Sequence, residues 1–80
     1  MSWFIYMIEV SDNTLYTGIT TDLDRRFKQH LDGKGAKYFH GRKPVKIVYT
    51  ESNHDRSSAS VREAAIKKLT REQKKQLIKC

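Results

Sequence analysis

Five side chains spread along 80 residues could do chemistry together: the phenols of Tyr6 and Tyr16, the guanidinium of Arg26, the imidazole of His30 and the carboxylate of Glu63. The set suits hydrolysis of a phosphodiester. A planar guanidinium bonds two phosphate oxygens at once and meets the charge that develops on them. A single carboxylate can bind a hard cation such as Mg²⁺, which keeps most of its waters and recruits phosphate oxygens for the rest. A phenol can take the proton of an attacking water once a neighbouring cation lowers its pKa from about 10. His30 could carry that proton onward or orient the phenol. Each residue also has a plainer reading. Tyr6 and Tyr16 can be strand aromatics that pack a sheet, Arg26 and His30 can be ordinary helix-surface residues, and Glu63 can pair with Lys67 at i,i+4.

What would bring them together is first a hairpin. Trp3 to Val10 and Thr14 to Ile19 are short runs rich in aromatic and β-branched residues, separated by Ser11-Asp12-Asn13. Such runs around a polar break predict two antiparallel strands, and Asn and Asp suit the break because they tolerate left-handed backbone. A loop at Ser11–Asn13 pairs Val10 with Thr14, Ile8 with Tyr16 and Tyr6 with Gly18. In that register the two tyrosines are diagonal neighbours on one face, whereas a slip of one residue would separate them. Gly18 has no side chain, so an open space is expected in front of the Tyr6 ring. Trp3, Ile5 and Met7 alternate with Phe4, Tyr6 and Ile8, so the first strand is apolar on both faces and belongs in the middle of its sheet. Thr14, Thr17 and Thr20 mark the second as an edge.

Thr21 or Asp22 can cap a helix in which Leu23, Phe27 and Leu31 form an apolar stripe and Gly33 the left-handed stop. At 100° per residue, Arg26 and His30 share one margin of that stripe. Lys34 to Pro44 reads as a loop, with Lys34, Lys37, Arg42 and Lys43 interleaved with Tyr38, Phe39 and His40. Val45 to Thr50 reads as a third strand and Glu51 to Arg56 as a second loop. Asp55 or Ser57 can cap a helix to about Leu69, with Ala59, Val61, Ala65, Ile66 and Leu69 apolar and Glu63 at the border of that arc. Thr70-Arg71-Glu72-Gln73 is a capping box for a last helix docked by Leu77 and Ile78. The expected class is α+β, a small three-stranded antiparallel sheet flanked by helices in the order β-β-α-β-α-α, with residues 1–80 as one domain.

Composition narrows the partners. Sixteen Lys and Arg against nine Asp and Glu leave a formal charge of +7, which favours a polyanion, nucleic acid before anionic membrane. The single cysteine, Cys80, excludes an internal disulfide, and no cluster of Cys and His suggests a zinc ribbon. No apolar run is long enough to span a membrane and the start does not resemble a secretory signal, so a cytoplasmic protein without membrane association is expected.

The ordered motifs Phe4-Ile5-Tyr6, Tyr16-Thr17-Gly18, Arg26-x-x-x-His30 and a later helical Glu63 resemble those of the GIY-YIG nuclease family, particularly its small stand-alone bacterial members. The likeness extends to the Gly35-Ala36-Lys37 loop and the helix from Arg62 to Leu69. It implies cleavage of a nucleic-acid backbone with one divalent ion, Mg²⁺ or Mn²⁺, held by Glu63. It also implies that Tyr6 activates water or acts as the base, that Tyr16 is the second-motif tyrosine, and that Arg26 binds phosphate, with His30 at a position often occupied by histidine. Phe4 stands where the first motif has glycine and Thr17 where the second has isoleucine. No asparagine follows Asn53, where many members carry one after the metal glutamate. The expected activity is an endonuclease on DNA, with branched or damaged DNA in repair or recombination as its setting. The loop residues Lys34, Lys37, Tyr38, His40, Arg42 and Lys43 would contact the strand, and a protein partner would supply targeting. The alternative is a nucleic-acid-binding module without catalysis that uses the same basic face.

Overall fold

The computed structural model describes residues 2–33, 37–39 and 41–79. Lys34 and His40, two of the expected strand contacts, lie outside the described residues, as does Cys80.

The hairpin forms as the polar break predicts. Strand β1 (Trp3–Val10) pairs antiparallel with β2 (Leu15–Thr20), and the register sets Ile8 opposite Tyr16 and Tyr6 opposite Gly18. The Val10 amide donates to the Thr14 carbonyl at 3.0 Å, and Asn13 turns the chain with a φ of 67°. β1 is the middle of a three-stranded sheet of order β2-β1-β3, paired along both edges, and it packs side chains on both of its faces. Ile5, Tyr6, Met7 and Ile8 are all buried.

The third strand is longer than its Val/Ile-rich centre suggests. β3 runs from Pro44 to His54 and takes in the residues expected to form a loop after Thr50. Its register against β1 shifts at three points, each time with one additional residue on β3. Eleven residues thereby span the eight of β1. Bulges bend and twist an edge strand without ending it, and Asn53, at a φ of 63°, supplies the left-handed residue at the last one. A strand interrupted by bulges loses its strict alternation, which is why Glu51 to His54 read as a loop.

Three helices follow the expected caps. In α1 (Leu23–Leu31) the Asp22 carboxylate accepts the Arg25 amide at 3.1 Å, and Gly33 has the left-handed backbone of a stop at φ 73°. Asp55 and Ser58 form a reciprocal capping box for α2 (Arg56–Lys67). Thr70 and Gln73 do the same for α3 (Arg71–Lys79), through bonds of 2.9 and 3.2 Å. The face of α2 that packs is narrower than its apolar residues suggested. Ala59 and Ile66 are buried, but Val61 is 70% exposed. A stripe through Ala59, Glu63 and Ile66 at i, i+4, i+7 therefore turns inward and carries the glutamate with it. Leu31, the last residue of the α1 stripe, is likewise exposed.

The two faces of the sheet hold different cores. Ile5 and Met7 pack with Ala59 and Ile66 of α2, joined by Leu77 and Ile78 of α3. Tyr6, Ile8 and Val10 face the other way, against Phe39, with Tyr16, Leu23, Phe27 and Tyr38 around them. No helix among the described residues is long and apolar enough to cross a membrane.

Candidate active site

The second face holds most of the residues singled out from their chemistry. Tyr6 reaches across β2 at the position that Gly18 leaves bare. A Cβ added to Gly18 would collide with the Tyr6 hydroxyl and stand 2.6 Å from the ring carbon that bears it. The space expected in front of the ring is therefore filled by the ring itself. Glycine is required at this position for room, not for an unusual backbone.

The Tyr6 hydroxyl ends 2.8 Å from Nε2 of His30, which α1 delivers one turn after Arg26. His30 is only 1% exposed and Tyr6 2%. Burial pushes the phenol up to about 12, against the pull of the Arg26 guanidinium beside it. Burial, aided by the positive charge of Arg26, pushes the imidazole down to about 4. Both groups are therefore neutral near pH 7, and the bond joins an uncharged phenol to an uncharged imidazole. His30 Nδ1 has no hydrogen-bond partner among the described residues.

Rings close around the pair. Tyr16 lies 6.4 Å from Tyr6 and 5.4 Å from His30, centroid to centroid. Phe39 lies 4.5 Å from His30 and 4.9 Å from Tyr16. These tilted and edge-on contacts are the arrangements that aromatic quadrupoles favour. They hold the imidazole in one orientation without using its polar atoms. Tyr16 is half-buried, and its phenol is also raised by desolvation, so it too stays protonated. Arg26 donates from Nη1 to Gln29 Oε1 at 3.0 Å, which steadies the guanidinium from one turn along the same helix.

Glu63 comes from α2, on the opposite side of the sheet. Its negative charge is felt at both phenols and raises each. Lys67 Nζ stands 3.6 Å from one carboxylate oxygen, the i,i+4 pair that the spacing predicts. No cluster of three or more Asp, Glu, His or Cys among the described residues forms a cage for a metal. One carboxylate with most of its coordination sphere left to water and phosphate matches what Mg²⁺ accepts, and a site of that kind fits these residues. The middle of α2 is tied to β3 by Glu51. That carboxylate accepts from Arg62 Nε at 3.1 Å and Nη2 at 3.0 Å, from His54 Nε2 at 3.0 Å and from the Tyr49 hydroxyl. Burial raises the Glu51 carboxyl, but those bonds outweigh it and hold the pKa below its usual value. Arg62 is the residue before Glu63, so this clamp sets the helix that carries the glutamate.

The basic loop is less free than its composition suggested. Arg42 is bound to Asp12 at 2.7 Å, donates to the Tyr38 carbonyl at 3.1 Å and lies 4.7 Å over the Tyr38 ring. The Tyr38 hydroxyl bonds to Thr14, and its ring packs 5.2 Å from Tyr16. Lys37 and Lys43 are exposed. Two contributors had gone unassigned in the sequence. Phe39 looked like one aromatic of a binding loop and is instead the buried wall behind His30. Gln29 holds Arg26, and its i,i+3 spacing was the available signal.

Known proteins match this chain along nearly all of its length. Residues 2–76 match the GIY-YIG catalytic domain. The chain is 49% identical to the UPF0213 protein DP2720 of Desulfotalea psychrophila, over 98% of this chain and 72% of that one. It is 47% identical to the UPF0213 protein YhbQ of Escherichia coli K12, over 95% of this chain and 76% of the relative. The solution structure of the UPF0213 protein BH0048 from Bacillus halodurans superposes with a TM-score of 0.62 at 43% identity, covering 99% of this chain and 84% of that one. That of EF2693 from E. faecalis superposes with a TM-score of 0.67 at 40% identity, with the same coverage. The match takes in the hairpin that seats one phenol over a glycine, the helix that brings arginine and histidine to it and the second helix with its lone inward glutamate, and the chain belongs to the GIY-YIG family.

Proposed function

We propose that the protein is a metal-dependent endonuclease that hydrolyses phosphodiester bonds of DNA, with branched or damaged DNA as its substrate in repair or recombination. The observation that carries this reading is the 2.8 Å bond from the buried Tyr6 hydroxyl to His30 Nε2, beside a guanidinium without an acidic partner among the described residues. A phenol with a pKa near 12 is a poor base by itself. Bonded to a neutral imidazole, it need never become a free phenolate. As the Tyr6 oxygen takes a proton from water, its own proton passes to Nε2. Arg26 holds the scissile phosphate and meets the charge that builds on its oxygens. Tyr16, at the surface of the ring cluster, orients the phosphate or the water by its hydroxyl. Glu63 would hold one Mg²⁺ or Mn²⁺, whose chemistry is to polarise the phosphate and stabilise the leaving oxygen. Targeting to a particular DNA structure would come from a protein partner.

The test is cleavage of branched, nicked and linear duplex DNA by the purified protein, with and without Mg²⁺ or Mn²⁺. Cutting of the branched form in metal is expected, with loss of product in Glu63→Gln and Arg26→Ala. Cleavage retained by a folded Glu63→Gln would overturn the metal assignment. The depth of Tyr6, 2% exposed, favours the one competing reading, a nucleic-acid-binding module that does not cut. That reading requires salt-sensitive binding with no product under any metal.

A further inference from the structure

A cleft of about 280 Å³ opens at the end of the sheet where β2 runs into α1, and the proposed reaction makes no use of it. Trp3, Thr20, Thr21, Arg25, Arg26 and Gln29 line it, so it shares Arg26 and the Gln29 that holds it with the candidate site. Arg56, from the first turn of α2, brings its guanidinium to 6.0 Å from the centre of the Trp3 ring. Arg25 and Arg26 thus line the same cleft as the indole, and Arg56 comes to it from a second helix. None of the three has an ion-pair partner among the described residues. Asp22 also lines the cleft, but its carboxylate is engaged by the Arg25 amide as the helix cap. Trp3 is half-buried, because one side of it packs on the cluster of Ile5, Met7, Ala59 and Ile66. The indole is therefore anchored in the core while part of it borders the cleft.

We propose that this cleft takes an unpaired DNA strand leading to or from the phosphate on Arg26, with a base stacked against Trp3 and an adjoining phosphate held by Arg25. This deepens the nuclease reading and rests on it for the identity of the ligand. Stacking on an aromatic side chain needs an exposed base face, and in a duplex those faces are covered by neighbouring pairs. Unpaired guanidiniums flanking a fixed ring are the combination that grips single strands, the charges following the backbone and the ring accepting any base. Arg56, with its guanidinium 6.0 Å over the Trp3 ring, adds a further cation beside the platform.

Trp3 is the only tryptophan of the chain, so its emission reports on this cleft alone. Metal-free protein is titrated at low salt with a fluorescein-labelled oligothymidylate, following anisotropy and tryptophan emission together. Quenching with the same midpoint as the anisotropy rise is the expected result. Arg25→Ala should lower the slope of log affinity against log salt by about one. Trp3→Leu should weaken binding by about tenfold. Circular dichroism shows whether Trp3→Leu has kept its fold, and Arg25→Ala remains a test if it has not. A rise in anisotropy with unchanged Trp3 emission overturns the cleft and leaves the nuclease reading intact. No binding of the single strand, in a protein that still cuts branched DNA, does the same. No binding and no cutting removes both.

Discussion

β1 has one face that is dry and aliphatic and another that buries a hydroxyl and an imidazole. Ile5 and Met7 meet Ala59 and Ile66, and every one of these side chains is 0% exposed. One residue along, Tyr6 points the other way into a nest of Tyr16, His30 and Phe39. Both faces exclude water about equally. What differs is the gain from doing so. Aliphatic burial is stabilising wherever it occurs. A buried phenol and imidazole must find each other to offset the loss of water, and His30 Nδ1 has no partner at all among the described residues. The α2 side thus holds mostly aliphatic burial, its one unbonded hydroxyl among the described residues being that of Thr17 beside Met7, while the α1 side carries a phenol and an imidazole that a purely structural core would avoid.

The comparison can be broken most directly at Tyr6. Tyr6→Phe removes the hydroxyl, and cleavage of branched DNA should fall by about 10²–10⁴-fold, the span of acid–base contributions. It should also cost about 1–3 kcal/mol in urea unfolding, because Nε2 of His30 would be left buried and unbonded. A variant as stable as the parent would show that the 2.8 Å bond contributes nothing to the fold. On the other face, Ile66→Ala should lower stability by about 2–5 kcal/mol through the cavity it leaves. Its cleavage rate per folded molecule should stay within about twofold at a temperature where the fold persists. A large kinetic defect there would mean that the two faces are not separable.

Gly18→Ala sharpens the contrast, since it adds one methyl where the Tyr6 ring lies. Overpacking of this kind costs about 1–3 kcal/mol and should displace the ring, with activity down by about 10–100-fold. Gly33→Ala, at a position with nothing within 4 Å of an added Cβ but a φ of 73°, should leave activity unchanged and cost only backbone strain. A separate effect concerns acid. The His30 pKa is lowered in the fold to about 4 from an ordinary 6.5, so its neutral form is the one the fold favours. Its contribution to stability is complete above pH 6.5 and is lost as pH falls through 4. The thermal midpoint should therefore drop across that window, and His30→Gln should flatten the drop. An unchanged slope in His30→Gln would place the acid sensitivity elsewhere.

Turn and cap chemistry made much of this protein readable before folding. Ser11-Asp12-Asn13 set a register that put Tyr6 opposite Gly18, and Asp22, Asp55 and Thr70 cap the three helices. These are local rules, acting over two to four residues, so neighbours in the chain suffice to state them. The order of tyrosines, arginine, histidine and glutamate along the chain pointed to the family by resemblance, with no need of their contacts in space. Long-range packing decided the rest. Three bulges stretched β3 through Glu51 to His54, and bulges depend on the partner strand as much as on the strand that carries them. Phe39 and Arg42 sat in a stretch that looked open to nucleic acid, until Tyr16 and His30 took up the first and Asp12 the second. The emptiness expected over Gly18 was real in one dimension only. A missing Cβ makes room, and the side chain that occupies that room is chosen by the strand beside it in space.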